Sequence, residues 1–428
     1  MKEALRDIIV AIITFQAKAV LKKYAPSVIL VTGSVGKTST KDAVYEVLSP
    51  HVFVRKSEKS FNSDIGVPLT ILGLPNGWGN MVQWAQNIID GFLLMIVRAP
   101  YPTWLVLEVG ADRPGDIQHK LAWLTPHVVV ATTFPDIPVH VEFYESPEAV
   151  IQEELSPVSF LKERGVLVHN SDDENTQKHT ATFSGTRLTY GFAKEASVRA
   201  LRYRILSHKG VATGISFDIE HGEEKIHLVK KGIVGKTHVY ALLAGVATAL
   251  AVGVPLSKIS NIDENQPTPN GRLKLIEGSK CLILDDTYNA SPVATKEALS
   301  TLDQMSAQGK KIAVLGDMME LGEYSKAEHK GVGEFLLGKV DLLVTVGVRA
   351  KAIAHAAVEA GMQESAVHSF EKKEDTVAYL LSVIETGDVV LVKGSQSMRL
   401  EEVVKTLMAR PDKAGELLVR QDAEWLAR

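Results

Sequence analysis

VILVTGSVGKTSTKDAVYEVL, residues Val28 to Leu48, reads as a strand, a glycine loop and a helix in succession. Val28 to Val31 make an apolar run of the length of a buried strand, and Ala43, Val44, Val47 and Leu48 recur at helical spacing. Between them lies Gly33-Ser34-Val35-Gly36-Lys37-Thr38-Ser39. That order suits a phosphate cradle, because glycines let backbone N–H groups approach phosphate oxygens and the helix N-terminus adds the positive end of a dipole. In such a loop Lys37 reaches the outer phosphates and the Thr38 hydroxyl ligates Mg²⁺. The common P-loop has one more glycine, four residues ahead of its Gly-Lys pair, and that place is held here by Val31. The loop is therefore a shorter variant. A tight turn with a chance lysine would give some of this stretch, but strand, glycines, Lys-Thr and helix follow here in the order phosphate binding needs.

Working outward, short runs rich in Val, Ile and Leu alternate with helix-length segments. They are Trp104–Val109, Val128–Thr132, Gly165–His169, Cys281–Asp285, Lys311–Leu315, Leu342–Val346 and Asp388–Val392. The alternation predicts an α/β protein with mostly parallel sheets. Between Leu188 and Val229 the pattern changes to Arg199–Ile205, Thr213–Ile219 and Lys225–Val229, separated by Gly-containing turns, which predicts a small antiparallel excursion. Asn265–Gly271, NQPTPNG, is the best linker candidate. The expected organisation is an N-terminal apolar helix over 1–25, a nucleotide-binding domain over 26–272 and a Rossmann-like α/β domain over 273–428.

With 428 residues, 45% of them hydrophobic and 23% charged, the chain can bury two or three cores. A net charge of −4 gives no electrostatic case for nucleic-acid binding. One cysteine, Cys281, excludes an intramolecular disulfide and fits a reducing, cytoplasmic setting. Two apolar stretches, Ile8–Val20 and Ile88–Val97, are both shorter than the roughly 20 residues a membrane-spanning helix requires. Packing on the domain explains both. The alternative is a lipid-facing patch at the inner membrane surface, since Lys18, Lys22, Lys23 and Arg98 flank the two runs.

Carboxylates and polar loops gather after the strands, where α/β sheets hold their ligands. Glu108 ends the run LVLE and could hold a nucleotide-bound Mg²⁺ or simply pair nearby. His140 follows another strand after a short loop and could be structural; Glu153 and Glu154 follow on a helix, and together these groups would suit a second metal. Downstream come Asn270-Gly271-Arg272-Leu273, Asp285-Asp286-Thr287-Tyr288-Asn289, the run from Gly316 to Gly322, and Lys393-Gly394-Ser395. Each alone could be a capped turn. Together they imply a ligand-facing edge.

Taken in order, TGSVGKTSTK, FNSDIGVPLTIL, LEVGADRPGDI, HVEFYESPEAV, GRLK, LDDTYNASP, AVLGDMMELGE and LVKGSQSMR resemble the Mur ligase superfamily of ATP-dependent amide-forming ligases, most of all its D-alanyl-D-alanine-adding branch. The likeness runs from Val28 to about Val404. It implies an acyl phosphate made from a carboxylate and ATP and then attacked by an amine, with a muramoyl-peptide-like acceptor, a D-alanyl-D-alanine-like amine and a monomeric enzyme. It implies that Gly33 to Ser39 bind ATP phosphates, that Thr38, Glu108 and His140 surround metal, and that Arg272, Asp286, Tyr288 and Asn289 meet the nucleotide. Asn62, Ser63 and Asp64 would lie near the acceptor, with Lys393 and Ser395 also facing substrate. The family's carbamylated lysine aligns with Glu154, and two asparagines expected near the adenine are replaced by His238 and Ala241. The family's first, uridine-nucleotide-binding domain has no counterpart here, only a helix-sized segment. A related ligase with a poly-γ-glutamate-type or other cell-envelope acceptor, or a non-catalytic ATP-binding homologue, are the competing readings.

Overall fold

The computed structural model describes residues 3–58, 61–259, 262–265 and 269–426. Residues 266–268 of the expected linker lie outside them. Two sheets organise the chain. The first has nine strands, β1 (Ser27–Thr32), β2 (Val54–Lys56), β3 (Trp104–Glu108), β4 (Val128–Ala131), β5 (Val166–Asn170), β6 (Thr186–Gly191), β7 (Val198–His208), β8 (Val211–His221) and β9 (Glu224–Lys231), in spatial order β2-β3-β1-β4-β5-β6-β7-β8-β9. Pairing is parallel up to β7, and β7, β8 and β9 are antiparallel, which is the excursion the sequence predicts.

The second sheet joins β10 (Lys274–Glu277), β11 (Cys281–Asp286), β12 (Lys311–Gly316), β13 (Leu342–Val346), β14 (Val367–Phe370) and β15 (Asp388–Lys393) in the order β10-β11-β15-β12-β13-β14. Only the β10–β11 pair is antiparallel. The central strands of both sheets are buried along their length, as continuous apolar strands must be when helices cover both faces.

Eight helices serve the first sheet: α1 (Glu3–Tyr24), α2 (Lys37–Leu48), α3 (Gly66–Leu72), α4 (Met81–Ile96), α5 (Asp116–Leu121), α6 (Pro147–Leu155), α7 (Glu174–Thr180) and α8 (Lys236–Ala251). α2 and α8 pack so closely that a Cβ on Gly245 would stand 2.9 Å from the Ala43 carbonyl oxygen. The core on that side runs from Ile29 and Val44 through Val239 and Leu243. α1 buries Ile9, Ile13, Ala17 and Val20 against a separate core with Leu30, Leu69 and Leu107. Among the described residues no helix is long and apolar enough to cross a membrane.

Candidate active site

β1 delivers the chain into the glycine loop, and two glycines make the turn possible. Gly33 has φ 134°, and any Cβ there would collide with the Thr132 hydroxyl. Gly36 sits at φ 89° as the N-cap of α2 and faces open space. L residues avoid both conformations. The Ser34 and Val35 N–H groups donate to the Thr133 carbonyl at 3.0 and 3.1 Å, which pins the loop to the end of β4. The first N–H groups of α2 then point into the loop without a carbonyl of their own helix to bond.

Lys37 folds back over this turn. Its ammonium donates to the Gly33 carbonyl and lies 3.1 Å from Glu154 Oε1. Glu154 is 1% exposed; its Oε2 accepts from the Ser34 hydroxyl at 2.5 Å, and its carbonyl accepts from Thr32. Its neighbour Glu153 turns the other way and accepts the Ile117 N–H at 3.0 Å. A helix rotates about 100° per residue, so one position separates a carboxylate on the loop from one capping α5.

Parallel pairing places Glu108 opposite Val31, beside the loop. The Thr38 hydroxyl donates to Glu108 Oε1 at 3.1 Å, while Oε2 is buried without a hydrogen-bond partner and lies 4.0 Å from the Lys41 ammonium. Burial is the largest influence on Lys41 and pulls its pKa below the ordinary lysine value against the attraction of Asp42 and Glu108.

His140 reaches out of the first sheet to the second. It adopts φ 69°, and its Nδ1 lies 3.0 Å from Glu320 Oε2, with Nε2 3.7 Å from Asp112. Burial works against protonation, yet the adjacent Glu320 carboxylate outweighs it and raises the imidazole above its usual value. The four residues expected around metal are thus not gathered as one set. His140 is drawn to Glu320 and Glu154 is engaged by Lys37 and Ser34, leaving Thr38 and Glu108 together. Among the described residues no three of His, Cys, Asp or Glu come together as a metal-holding group.

From the second sheet, Lys393 at the end of β15 is buried between Asp286 Oδ2 at 2.6 Å and the Asn289 carbonyl at 2.9 Å. The Arg272 guanidinium stacks 4.1 Å from the centre of the Tyr288 ring. Asp286 also accepts the Leu273 N–H, tying the segment between the sheets to β11. The Ser395 hydroxyl accepts from the Met319 N–H at 2.9 Å. One cavity of ≈ 730 Å³ is lined by Ser34 to Ser39, Glu108 and His140 from the first sheet and by Arg272, Asp286, Tyr288, Asn289, Lys393 and Ser395 from the second. Asn62 lines it too. Ser63 and Asp64 do not: the Ser63 hydroxyl accepts the Gly66 N–H at 3.2 Å, and Asp64 is an exposed group 3.8 Å from the Lys120 ammonium.

His238 is buried, and its Nε2 donates to the Arg272 carbonyl at 2.8 Å. Ala241 is buried one turn further along α8. Three residues were not foreseen from sequence. Glu320 lies in the quoted GDMMELG stretch, but only the fold brings it to His140. Trp78 also lines the cavity. Arg420 donates to the Thr287 and Tyr288 carbonyls at 2.5 and 3.1 Å and to Glu401 at 2.8 Å, so it braces the loop after β11. Nothing in its local sequence marks it.

A glycine loop facing a second α/β sheet across one cavity is the architecture of an ATP-dependent ligase. The chain belongs to the Mur ligase family: the Mur ligase middle domain matches residues 31–83 and 91–249, and the Mur ligase glutamate ligase domain matches residues 271–396. The break in the first match falls inside α4. The chain is 30% identical to the UDP-N-acetylmuramoyl-tripeptide–D-alanyl-D-alanine ligase of Bacillus subtilis over 92% of this chain and 79% of that protein. It is 28% identical to the enzyme of the same name from Escherichia coli over 89% of this chain and 76% of that one. The crystal structure of the MurF ligase of Thermotoga maritima, in complex with ADP, superposes with a TM-score of 0.74 at 24% identity, covering 93% of this chain and 83% of that one. That last likeness speaks for the fold.

Proposed function

We propose that the chain joins D-alanyl-D-alanine to a UDP-N-acetylmuramoyl tripeptide at the expense of ATP. The observation that carries this reading is the single cavity that the Lys37 loop shares with Arg272, Asp286 and Lys393. A carboxylate oxygen of the acceptor attacks the terminal phosphorus of ATP, and ADP leaves. The amine of the dipeptide attacks the acyl carbon of the resulting acyl phosphate, inorganic phosphate leaves with the C–O bond electrons, and the amine gives up its proton as the amide forms. Little covalent chemistry falls to the protein; positioning and charge compensation dominate phosphoryl transfer.

In this reading Lys37 exchanges its contact with the Gly33 carbonyl for the phosphoryl group in transfer. The N–H groups at the start of α2 hold the neighbouring phosphates. Thr38 and Glu108 fit Mg²⁺: the donors are hydroxyl and carboxylate oxygens, and the buried Glu108 Oε2 lacks a hydrogen-bond partner. When bound, the ion supplies positive charge to the phosphates, and few protein ligands are needed because phosphates and water complete its shell. Glu154 provides a permanent carboxylate beside Lys37, at the position the family resemblance implies for a carbamylated lysine. Arg272 and Tyr288 form a stacked edge for the nucleotide, and Lys393, held by Asp286, lines the same cavity for the substrate. Asn62 is the acceptor-facing group.

The same reading takes 1–25 as an N-terminal helix, 26–272 as the ATP-binding domain and 273–428 as the second domain, working as a cytoplasmic monomer with peripheral contact to a membrane surface. Release of ADP on mixing ATP, UDP-N-acetylmuramoyl tripeptide and D-alanyl-D-alanine, measured against a panel of other carboxylates and amines, tests it. ADP release with another pair but not this one would reject it.

A further inference from the structure

Helix α4 leaves much of its apolar surface exposed. Surface helices of folded proteins point their apolar stripe at the core and their polar residues at water. In α4 the buried positions are Trp84, Asn87 and Gly91. Asn87 donates to the Pro75 carbonyl at 2.7 Å and accepts from Gln83 at 2.9 Å. Gly91 lies against the buried Gln16 of α1, whose amide donates to the Ile88 carbonyl at 2.8 Å. The opposite face carries Val82, Ile89, Leu93 and Ile96, which are 79%, 55%, 51% and 79% exposed, with Phe92 and Val97 beside them. α1 adds Ile8 and Phe15, also exposed. Single exposed apolar residues need no explanation, but a contiguous stripe of this length marks an interaction surface.

Charge says what the surface meets. The Lys23 ammonium donates to the Leu94 and Val97 carbonyls at 3.0 and 2.6 Å, and the Tyr24 hydroxyl to Val97 at 3.2 Å, so the C-terminal ends of α1 and α4 lie side by side. Lys22 on α1 and Arg98 just past α4 are exposed beside Lys23 at those ends, and Lys18, also exposed, holds its ammonium 5.8 Å from the Trp123 ring. On α4 itself the only acidic residue is Asp90, which accepts from Gln86 at 2.8 Å. Apolar side chains bordered by lysine and arginine match the acyl–headgroup boundary of an anionic bilayer, with the apolar stripe among the acyl chains and the cations at the phosphates. The family match also breaks inside α4, at residues 84–90.

We propose that α1 and α4 together form a seat for an anionic lipid surface, on which the protein lies without spanning it. The seat adjoins the cavity. Trp78, which lines it, stands three residues before the start of α4, and the Trp84 indole N–H donates to the Trp78 carbonyl at 3.0 Å. A seated molecule therefore works with its cavity mouth close to the membrane. This proposal stands whether or not the ligase substrates are those named above, because its readout is lipid binding.

The test is flotation of the full chain with vesicles of phosphatidylcholine alone and with phosphatidylglycerol added. Two double variants accompany it: Phe92→Gln with Ile96→Gln, and Lys22→Glu with Arg98→Glu, the latter changing no packing. The wild type should float with the anionic vesicles only, each variant should lower partitioning by about tenfold or more, and raised salt should weaken it. Ligation of a soluble acceptor should be unchanged in both. A wild type that stays unbound, or variants that bind equally well, overturns the proposal. So does light scattering that finds a wild-type dimer dissolved by the apolar variant without vesicle binding, which would assign the face to a second copy of the chain.

Discussion

Replacing His238 by Asn should change how the protein responds to acid, by an amount the structure sets. The imidazole is buried at the start of α8, at the wall of the cavity; burial is the main influence and lowers its pKa to about 4, against the pull of the Arg272 carbonyl and Asp286. In the unfolded chain a histidine takes up its proton near pH 6.5. Between these values the unfolded state binds the proton and the folded state does not, so stability falls as pH drops from about 6.5 to about 4. At ~1.4 kcal/mol per unit the loss is ~3 kcal/mol. Asp285 works in the opposite direction. Burial raises its carboxyl to about 6, so it is protonated in the folded state first, and its contribution grows as pH falls from about 6 toward the ordinary aspartate value. The two act against each other in the wild type, so a difference measurement isolates the histidine. Thermal midpoints of wild type and His238→Asn recorded from pH 7 to pH 4.5 should diverge in the variant's favour on the acid side, by several degrees at roughly 2 °C per kcal/mol for a unit of this size. A midpoint difference that is constant across that range would refute the buried, neutral histidine.

Three further outcomes follow from the site. Lys37→Ala should lower ligation by about 100- to 1000-fold, since it removes one charge aimed at the phosphoryl in transfer, and should also lower the thermal midpoint because it leaves the buried Glu154 carboxylate without its cation; ligation within about threefold of wild type sinks its assignment. Because Glu154 already supplies a carboxylate beside Lys37, activity should be the same in bicarbonate-free buffer, and Glu154→Gln should lower ligation and alter its Mg²⁺ dependence. Stimulation by bicarbonate would count against this. The two sheets carry complementary halves of the cavity, so small-angle scattering should show compaction when an ATP analogue and acceptor are both bound, and an unchanged radius at saturation would exclude closure.

Much of the fold was legible because buried parallel strands advertise themselves. Each run of Val, Ile and Leu from Val28 to Asp388 is a strand within a residue or two of its expected limits. The strands that escaped are short or polar. β2 is three residues long, and β14, VHSF, is an edge strand with no buried position. TRLTYG of β6 carries too little apolar alternation to stand out. α4 misled for a different reason: periodicity reports that a helix has an apolar face, not which way that face points. Only its neighbours decide, here Gln16 and Pro75.

At the site, the loop and the strand-end carboxylates could be read locally because one element presents each of them. Pairings between elements could not. Glu154 and Glu153 are one residue apart in sequence, and the rotation of α6 decides which reaches Ser34. His140 was expected beside metal, yet its closest partner, Glu320, comes from the other sheet. Ser63 and Asp64, expected near the acceptor from their motif, do not line the cavity: the Ser63 hydroxyl caps the turn into α3 and Asp64 lies near Lys120. Arg420 acts from the C-terminal segment, far from every motif it supports.

The central claim is amide formation through an acyl phosphate in this cavity. The most direct measurement labels the acceptor carboxylate with heavy oxygen and follows the label through one turnover with ATP and D-alanyl-D-alanine. Transfer of one labelled oxygen into the released inorganic phosphate, with an amide product of matching mass, is the predicted result. Amide or ADP formed with no label in the phosphate would contradict the account.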